Sequence, residues 1–296
     1  MGFGAYSHSA HVELLKSRAG VPAQEVFTQK GCHPFMNPKG VRVRESRDSP
    51  GHPRSLGIAF ALDVTGSMGM VPRTLATQEL PRFMKILMDC GVEDPQVLFL
   101  AFGDATCDEA PLQVGQFEST AELMDLWLTR SYLEGHGGPG IQESYELALY
   151  FLAQHTEMDC VVKRRHKGYL FLTGDEQPYP CVSRHVVDSV LGDRLDEDIP
   201  LPALIALLQE SWHPFFLLPD EPVRVQRCER QWRDLLGDHV LRVPRVEDTC
   251  FVAAGALVIR EGILKTDREV ARALQAAGLP AMEVEPVMRS LRPLLG

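Results

Sequence analysis

The chain has 296 residues, of which 45% are apolar and 24% charged, and it carries a net charge of −10 at neutral pH. Its apolar runs stay below the ~18 residues that cross a bilayer, which excludes a helical membrane protein, and the acidic balance excludes nucleic acid as the main partner because phosphate binding takes a basic surface. Seven scattered cysteines without a C-x-x-C pair exclude a disulfide scaffold, and His8, His11, Glu13, Lys16 and Arg18 stand where a signal-peptide core would lie, so the expected compartment is the cytoplasm.

Charge divides the chain unevenly. Residues 1–54 hold eight Lys and Arg against four Asp and Glu, which leaves 22 against 36 in the remainder: a basic arm precedes an acidic body. Turn formers dominate the arm, at Gly31-Cys32-His33-Pro34, Met36-Asn37-Pro38-Lys39-Gly40 and Ser49-Pro50-Gly51-His52-Pro53. Between them residues 40–46 alternate apolar and charged side chains, as an exposed edge strand would. The expectation is an irregular wrap with one short strand, its histidines held by local turns and its arginines (Arg42, Arg44, Arg47, Arg54) packed against the acidic body.

From residue 55 strand and helix patterns alternate. Strands are expected at 56–63, 97–103, 112–117, 168–174, 213–218 and 239–243, and helices at 73–90, 119–130, 141–155, 180–191, 200–210, 222–236 and 246–263. Such alternation reads as a Rossmann-like, doubly wound α/β fold with a mainly parallel sheet covered on both faces. The hop from 97–103 to 112–117 is too short for a helical crossover, so that pair should be antiparallel and form one edge. Residues 265–296 read as a helical tail of two short helices broken near Gly278-Leu279-Pro280. The expected organisation is an arm (1–54), a main domain (55–264) and the tail.

The chemistry concentrates where the first strand ends, at Asp63-Val64-Thr65-Gly66-Ser67-Met68, with Pro72 near the start of the following helix. In an open parallel sheet ligands bind beyond the carboxyl ends of strands, and Asp63, Thr65 and Ser67 leave the sheet on that side. Asp175 does the same after the apolar run 168–174. Carboxylates and hydroxyls without nearby His or Cys favour a hard cation, Mg2+ first, with Mn2+ and Ca2+ as alternatives. Asp104, Asp108, Glu109 and Glu176 read as a solvated acidic rim on the same edge, with Asp104 as a further candidate ligand.

These residues resemble the von Willebrand factor A (VWA) family, whose metal-ion-dependent adhesion site uses a D-x-S/T-x-S turn after the first strand, a threonine in a Gly-rich loop and an aspartate after the fourth strand. The resemblance covers residues 55–264, and the D-x-T-G-S-M form is typical of the family's intracellular and bacterial members. It implies metal contacts from Asp63, Thr65, Ser67 and Asp175. The threonine slot departs from the pattern: after the loop Glu134-Gly135-His136-Gly137-Gly138-Pro139-Gly140, it falls on Glu143 with Ser144 beside it. Either Glu143 is a ligand, or Ser144 supplies the hydroxyl through a one-residue shift, or neither touches the metal. With Glu143 in the slot the shell would total −3, holding metal more tightly and attracting a partner carboxylate less. The alternative role for Glu143 is an acid at a helix N-terminus, and for Asp63 and Asp175 ordinary helix capping.

The resemblance implies a metal-assisted protein-binding module, not an enzyme, in a bacterial multi-component system such as one with a MoxR-type AAA+ ATPase or a stress or defence system. A metal-dependent phosphatase of the D-x-D type would need an acid where Thr65 stands, and the chain has neither a P-loop nor a G-x-S-x-G elbow. A structural subunit with a vestigial metal site is the third reading.

Overall fold

A computed structural model describes residues 4–18, 20–66, 68–135 and 141–296. Six strands form the central sheet: β1 (Leu56–Asp63), β2 (Pro95–Phe102), β3 (Leu112–Val114), β4 (Gly168–Thr173), β5 (Trp212–Pro219) and β6 (Val240–Val243). Every residue of β1, β2 and β4 is buried. Continuous apolar runs of this kind belong to strands covered on both faces.

The strands lie in the order β6-β5-β4-β1-β2-β3. All neighbours are parallel except β2 and β3, where Leu100 faces Val114 and Phe102 faces Leu112. The fold is thus the doubly wound α/β architecture expected, with the antiparallel edge strand at β3. After β1 and β2 the chain builds toward one edge, and from β4 it builds toward the other. The winding therefore reverses between β1 and β4, which opens a crevice beyond their carboxyl ends.

Register sets the core. Phe99, Phe60, Phe171 and Phe215 occupy paired positions on β2, β1, β4 and β5 and form one aromatic row, with Phe83 of the helix Leu80–Asp89 edge-on to Phe60 at 5.1 Å. The opposite face carries a second row in which Tyr145 contacts Phe102 at 4.9 Å and Phe216 at 5.8 Å, and Trp232 stacks on Phe216. Each ring taken fully out of water contributes roughly 1.5–3 kcal/mol.

Local differences from the sequence reading have physical causes. The helix after β1 starts at Met70, earlier than residue 73, and widens into a π-helical turn at Leu75–Glu79 before continuing as Leu80–Asp89. Pro81 cannot donate to the carbonyl one turn back and its ring crowds that carbonyl, which accounts for the widening. The arm is more ordered than an irregular wrap: Ser7 caps a helix at His8–Lys16, and a short helix follows at Ala23–Val26. The edge strand expected at 40–46 shrinks to Arg44–Ser46, which pairs in parallel with Thr156–Met158 outside the central sheet. A helix at Asp159–Arg164 was not anticipated, because six residues are too few to show a periodicity.

Arm and tail both pack on the body. Val26 and Phe27 of the arm join the main core, as do Val270, Leu274, Val287 and Leu291 of the tail. Leu291 lies so close to Gly255 that a Cβ there would come within 2.5 Å of its Cδ1. The tail helices Asp267–Ala276 and Val284–Leu291 break at Gly278, whose φ of +104° favours glycine. Arg47 of the arm reaches Glu157 and, at 3.1 Å, Asp159, while Arg54 pairs with Glu93 at 2.9 Å. His33 and His52 sit in separate local turns, His33 accepting from Phe35 N and His52 bonded to Ser49. Among the described residues no helix is long and apolar enough to cross a membrane.

Candidate metal centre

Asp63 is the last residue of β1 and is wholly buried at the crevice. Its Oδ1 accepts from Thr65 N at 2.9 Å and from Thr65 Oγ1 at 2.6 Å, and its own N–H donates to Thr173 Oγ1 at 3.4 Å. The turn thus fixes one carboxylate oxygen. Oδ2 is equally buried and has no hydrogen-bond partner. Burial pushes this carboxyl up to about 7; the Thr65 bonds oppose the rise, and the charges of Asp175 and Glu176 add to it.

Asp175 is buried one residue beyond Gly174, where β4 leaves the sheet. Gly174 is required there: a Cβ would stand 2.1 Å from the Tyr145 hydroxyl. That hydroxyl accepts from Glu176 N at 3.2 Å, so Tyr145 props the exit of β4 from beneath. Ser67 lies outside the described residues. Its neighbour Gly66 packs on the Gly-rich loop, since a Cβ on Gly66 would meet the Gly135 carbonyl at 3.1 Å.

Glu143 belongs to a two-residue strand, Gln142–Glu143, paired in parallel with Gln177–Pro178 beyond β4. This pairing draws it into the crevice. Glu143 is only 5% exposed and its Oε2 has no partner. Burial pushes its carboxyl up to about 9, with the charges of Asp63, Asp104, Asp108 and Glu176 acting in the same direction. It precedes Ser144, the cap of the helix Tyr145–Gln154, and the acid in that helix's first turn is Glu146. Ser144 N donates to the Gly103 carbonyl at 3.1 Å and Ser144 Oγ accepts from Ala105 N at 2.9 Å, a clamp on the loop after β2.

Asp104 is buried, contrary to its reading as part of a solvated rim. Its Oδ1 accepts from Thr106 N at 2.9 Å and Tyr179 Oη at 3.0 Å, and its Oδ2 from Thr106 Oγ1 at 2.7 Å. Both oxygens are therefore engaged in shaping the loop. Three participants escaped sequence reading. Thr173 and Tyr145 lie inside apolar runs and look like core; Glu146, buried with a partnerless Oε2 and pushed up to about 8 by burial, is the single acid in an otherwise apolar helix start.

Among the described residues no three His, Cys, Asp or Glu side chains form a ready-made metal cage. The donor set still fits a hard cation. Two buried carboxylate oxygens, on Asp63 and Glu143, lack any partner, and the acids around them raise one another's proton affinity, a repulsion that a divalent cation relieves.

No protein-family profile matches the chain, and no curated protein matches it in sequence. Solved structures of similar fold include a proximal thread matrix protein from the mussel byssus with a zinc-occupied MIDAS motif (9% identity, 71% of this chain and 48% of that one, TM-score 0.42). Another is the pilus adhesin SpaC of Lactobacillus rhamnosus GG (10% identity, 78% and 31%, TM-score 0.44). A von Willebrand factor type A protein of Catenulispora acidiphila is a third (12% identity, 71% and 42%, TM-score 0.38). The chain spans less than half the length of each, and likeness at this level carries no functional argument.

Proposed function

We propose that the chain is a VWA-type protein-binding module whose crevice between β1 and β4 holds a divalent cation, Mg2+ first. The observation that carries this reading is the partnerless, fully buried Oδ2 of Asp63 at the point where the winding reverses. Capping the turn occupies only Oδ1, and leaving the second oxygen of an acid buried without a partner costs about 1–3 kcal/mol. Asp63, Thr65, Glu143 and Asp175 would hold the cation, directly or through water. When bound, it would neutralise these acids and present a coordination site to an oxygen of a partner. Thr65 orients Asp63, Tyr145 fixes the exit of β4, and the pairing of Gln142–Glu143 with Gln177–Pro178 keeps Glu143 facing the site.

The role is binding and not catalysis, in a cytoplasmic bacterial assembly; a MoxR-type AAA+ ATPase is the first partner to assay. Calorimetric titration of the metal-stripped protein with Mg2+, repeated on Asp63→Ala, tests the reading. Heat from the parent that is lost in the variant is expected, and absence of heat from the parent would leave a vestigial site. Mg2+-dependent phosphatase turnover abolished in Asp63→Ala would replace the binding role with a catalytic one.

A further inference from the structure

The arm and the tail flank one helix of the body and leave a groove between them, with a cavity of about 520 Å³. Its walls are the arm helix His8–Lys16 and the end of the tail helix Asp267–Ala276, and its floor is the π-helical turn with the helix Leu80–Asp89 that continues it. Val12, Leu15, Pro81, Ala276 and Ala277 give the groove an apolar lining. None of its residues belongs to the crevice. A partly apolar trough between helices has the form that accepts the apolar stripe of a further helix.

The charge of the groove runs against that of the molecule. Although the chain carries −10 overall, the groove is lined by His8, Lys16, Arg82 and Lys85 and by no acid. Lys16, Arg82 and Lys85 each have a carboxylate partner, and each partner lies outside the lining. Glu13 pairs with Lys16 at 2.7 Å and Asp89 with Lys85 at 2.5 Å. Both pairs join residues one turn apart on a single helix, and side-chain exposures of 67% and 70% in the first, and of 34% and 54% in the second, leave them in water. Pairs of this kind contribute little, so a carboxylate arriving from outside can displace them. Glu79, the partner of Arg82, is wholly buried in the π-helical turn, whereas Arg82 keeps 40% of its side chain exposed. A basic, partly apolar groove on an acidic protein complements a partner of acidic and apolar pattern.

We propose that this groove docks an amphipathic helix of a protein partner that carries Glu or Asp beside its apolar stripe. The partner's apolar side chains fill the space between Val12, Pro81 and Ala277, and its carboxylates stand against Lys16, Arg82 and Lys85. It thereby touches arm, body and tail at once. The contact needs no cation and is independent of the crevice.

The test is fluorescence anisotropy on the full chain with labelled helical peptides of about 18 residues. The first carries leucine and alanine on one face and glutamate on the other; the second has glutamine in place of glutamate; the third is the first scrambled so that it has no apolar stripe. The first peptide should bind, weaken as salt rises, and bind equally in Mg2+ and in EDTA. Lys16→Gln/Lys85→Gln, at two surface positions, should weaken it about fivefold and flatten its salt dependence. Val12→Ser should weaken it about fivefold at unchanged salt dependence. Equal or tighter binding of the glutamine or the scrambled peptide, binding by none, or a Lys16→Gln/Lys85→Gln variant that binds as the parent does would overturn the proposal. So would binding that requires Mg2+, which would place the peptide at the crevice, and self-association of the parent that is lost in the same variant, which would assign the groove to a second copy of the chain. Mg2+ calorimetry on the same samples keeps the two readings apart: a parent that takes up no Mg2+ yet binds the glutamate peptide refutes the cation site alone.

Discussion

Replacing Asp63 by Asn should make the metal-free protein more stable at alkaline pH and deprive it of its response to Mg2+. Burial raises the Asp63 carboxyl from 3.8 to about 7. A carboxyl whose folded value is raised contributes stability that is complete below its unfolded value, declines as pH rises, and is lost once pH passes the folded value. For Asp63 that window runs from about pH 4 to about pH 7. At 1.36 kcal/mol per unit, a three-unit displacement amounts to about 4 kcal/mol of destabilisation at pH 8. Asn carries no such penalty, and its Oδ1 still accepts from Thr65 N. Replacing Oδ2 by an amide among acids supplies a donor, while loss of the charge weakens the Thr65 bonds, so a net gain of about 2 kcal/mol at pH 8 is expected. At about 2 °C per kcal/mol for a chain of this size, the EDTA-treated variant should melt about 4 °C above the parent, with the gap less than half as large at pH 5. Mg2+ at a hundred times its Kd should raise the parent by about 2.7 kcal/mol and leave the variant unmoved, reversing their order. Differential scanning fluorimetry at pH 5 and pH 8, with EDTA and with Mg2+, reads all four values. A variant less stable than the parent in EDTA at pH 8, or one that keeps the Mg2+ shift, refutes the reasoning.

Glu143→Ala should weaken metal binding by about tenfold or more if this side chain faces the cation; calorimetry showing equal or tighter binding would return Glu143 to a structural role. Ser144→Ala removes the acceptor of Ala105 N and should cost about 1 kcal/mol in urea unfolding, with metal stoichiometry unchanged. Loss of metal uptake would make Ser144 the hydroxyl ligand instead. Arg18 makes a two-pronged contact with Asp125, 5% exposed, whose carboxyl burial pushes up; Arg18→Ala should therefore cost about 3–5 kcal/mol by chemical denaturation, and a loss below about 1 kcal/mol would show that the arm is dispensable to the core.

The central sheet was legible because its strands are buried on both faces and so appear as uninterrupted apolar runs, and because the short hop to β3 forces an antiparallel pair. Asp63, Thr65 and Asp175 were legible because strand ends and an x-Thr-Gly turn are local features. Glu143 was reached only through the resemblance, since its placement has no local signal. It depends on pairing with Gln177–Pro178, more than thirty residues away, in a two-residue strand without its own pattern. The arm helix His8–Lys16 escaped for a related reason: only His11 and Leu15 of it are buried, so its apolar stripe is too narrow to read. Asp104 looked like an exposed acid because sequence does not reveal that Tyr179 and Thr106 cover it.

Ordinary structural roles account for part of each acid and leave the same remainder. Capping explains the Thr65 bonds to Asp63 Oδ1, and nothing about capping requires Oδ2 to be buried without a donor. The first turn of the helix Tyr145–Gln154 already has its own acid in Glu146, so the helix does not need Glu143, which stands outside it and is buried with its own partnerless oxygen. Stability alone would favour Asn, Gln or an apolar residue at both positions, since burial disfavours the charged form of each acid, and neighbouring charges add to it: Asp175 and Glu176 at Asp63, Asp63 first at Glu143. On the proposed reading the two costs have one cause, since a cation seated between β1 and β4 would turn both from penalties into ligands.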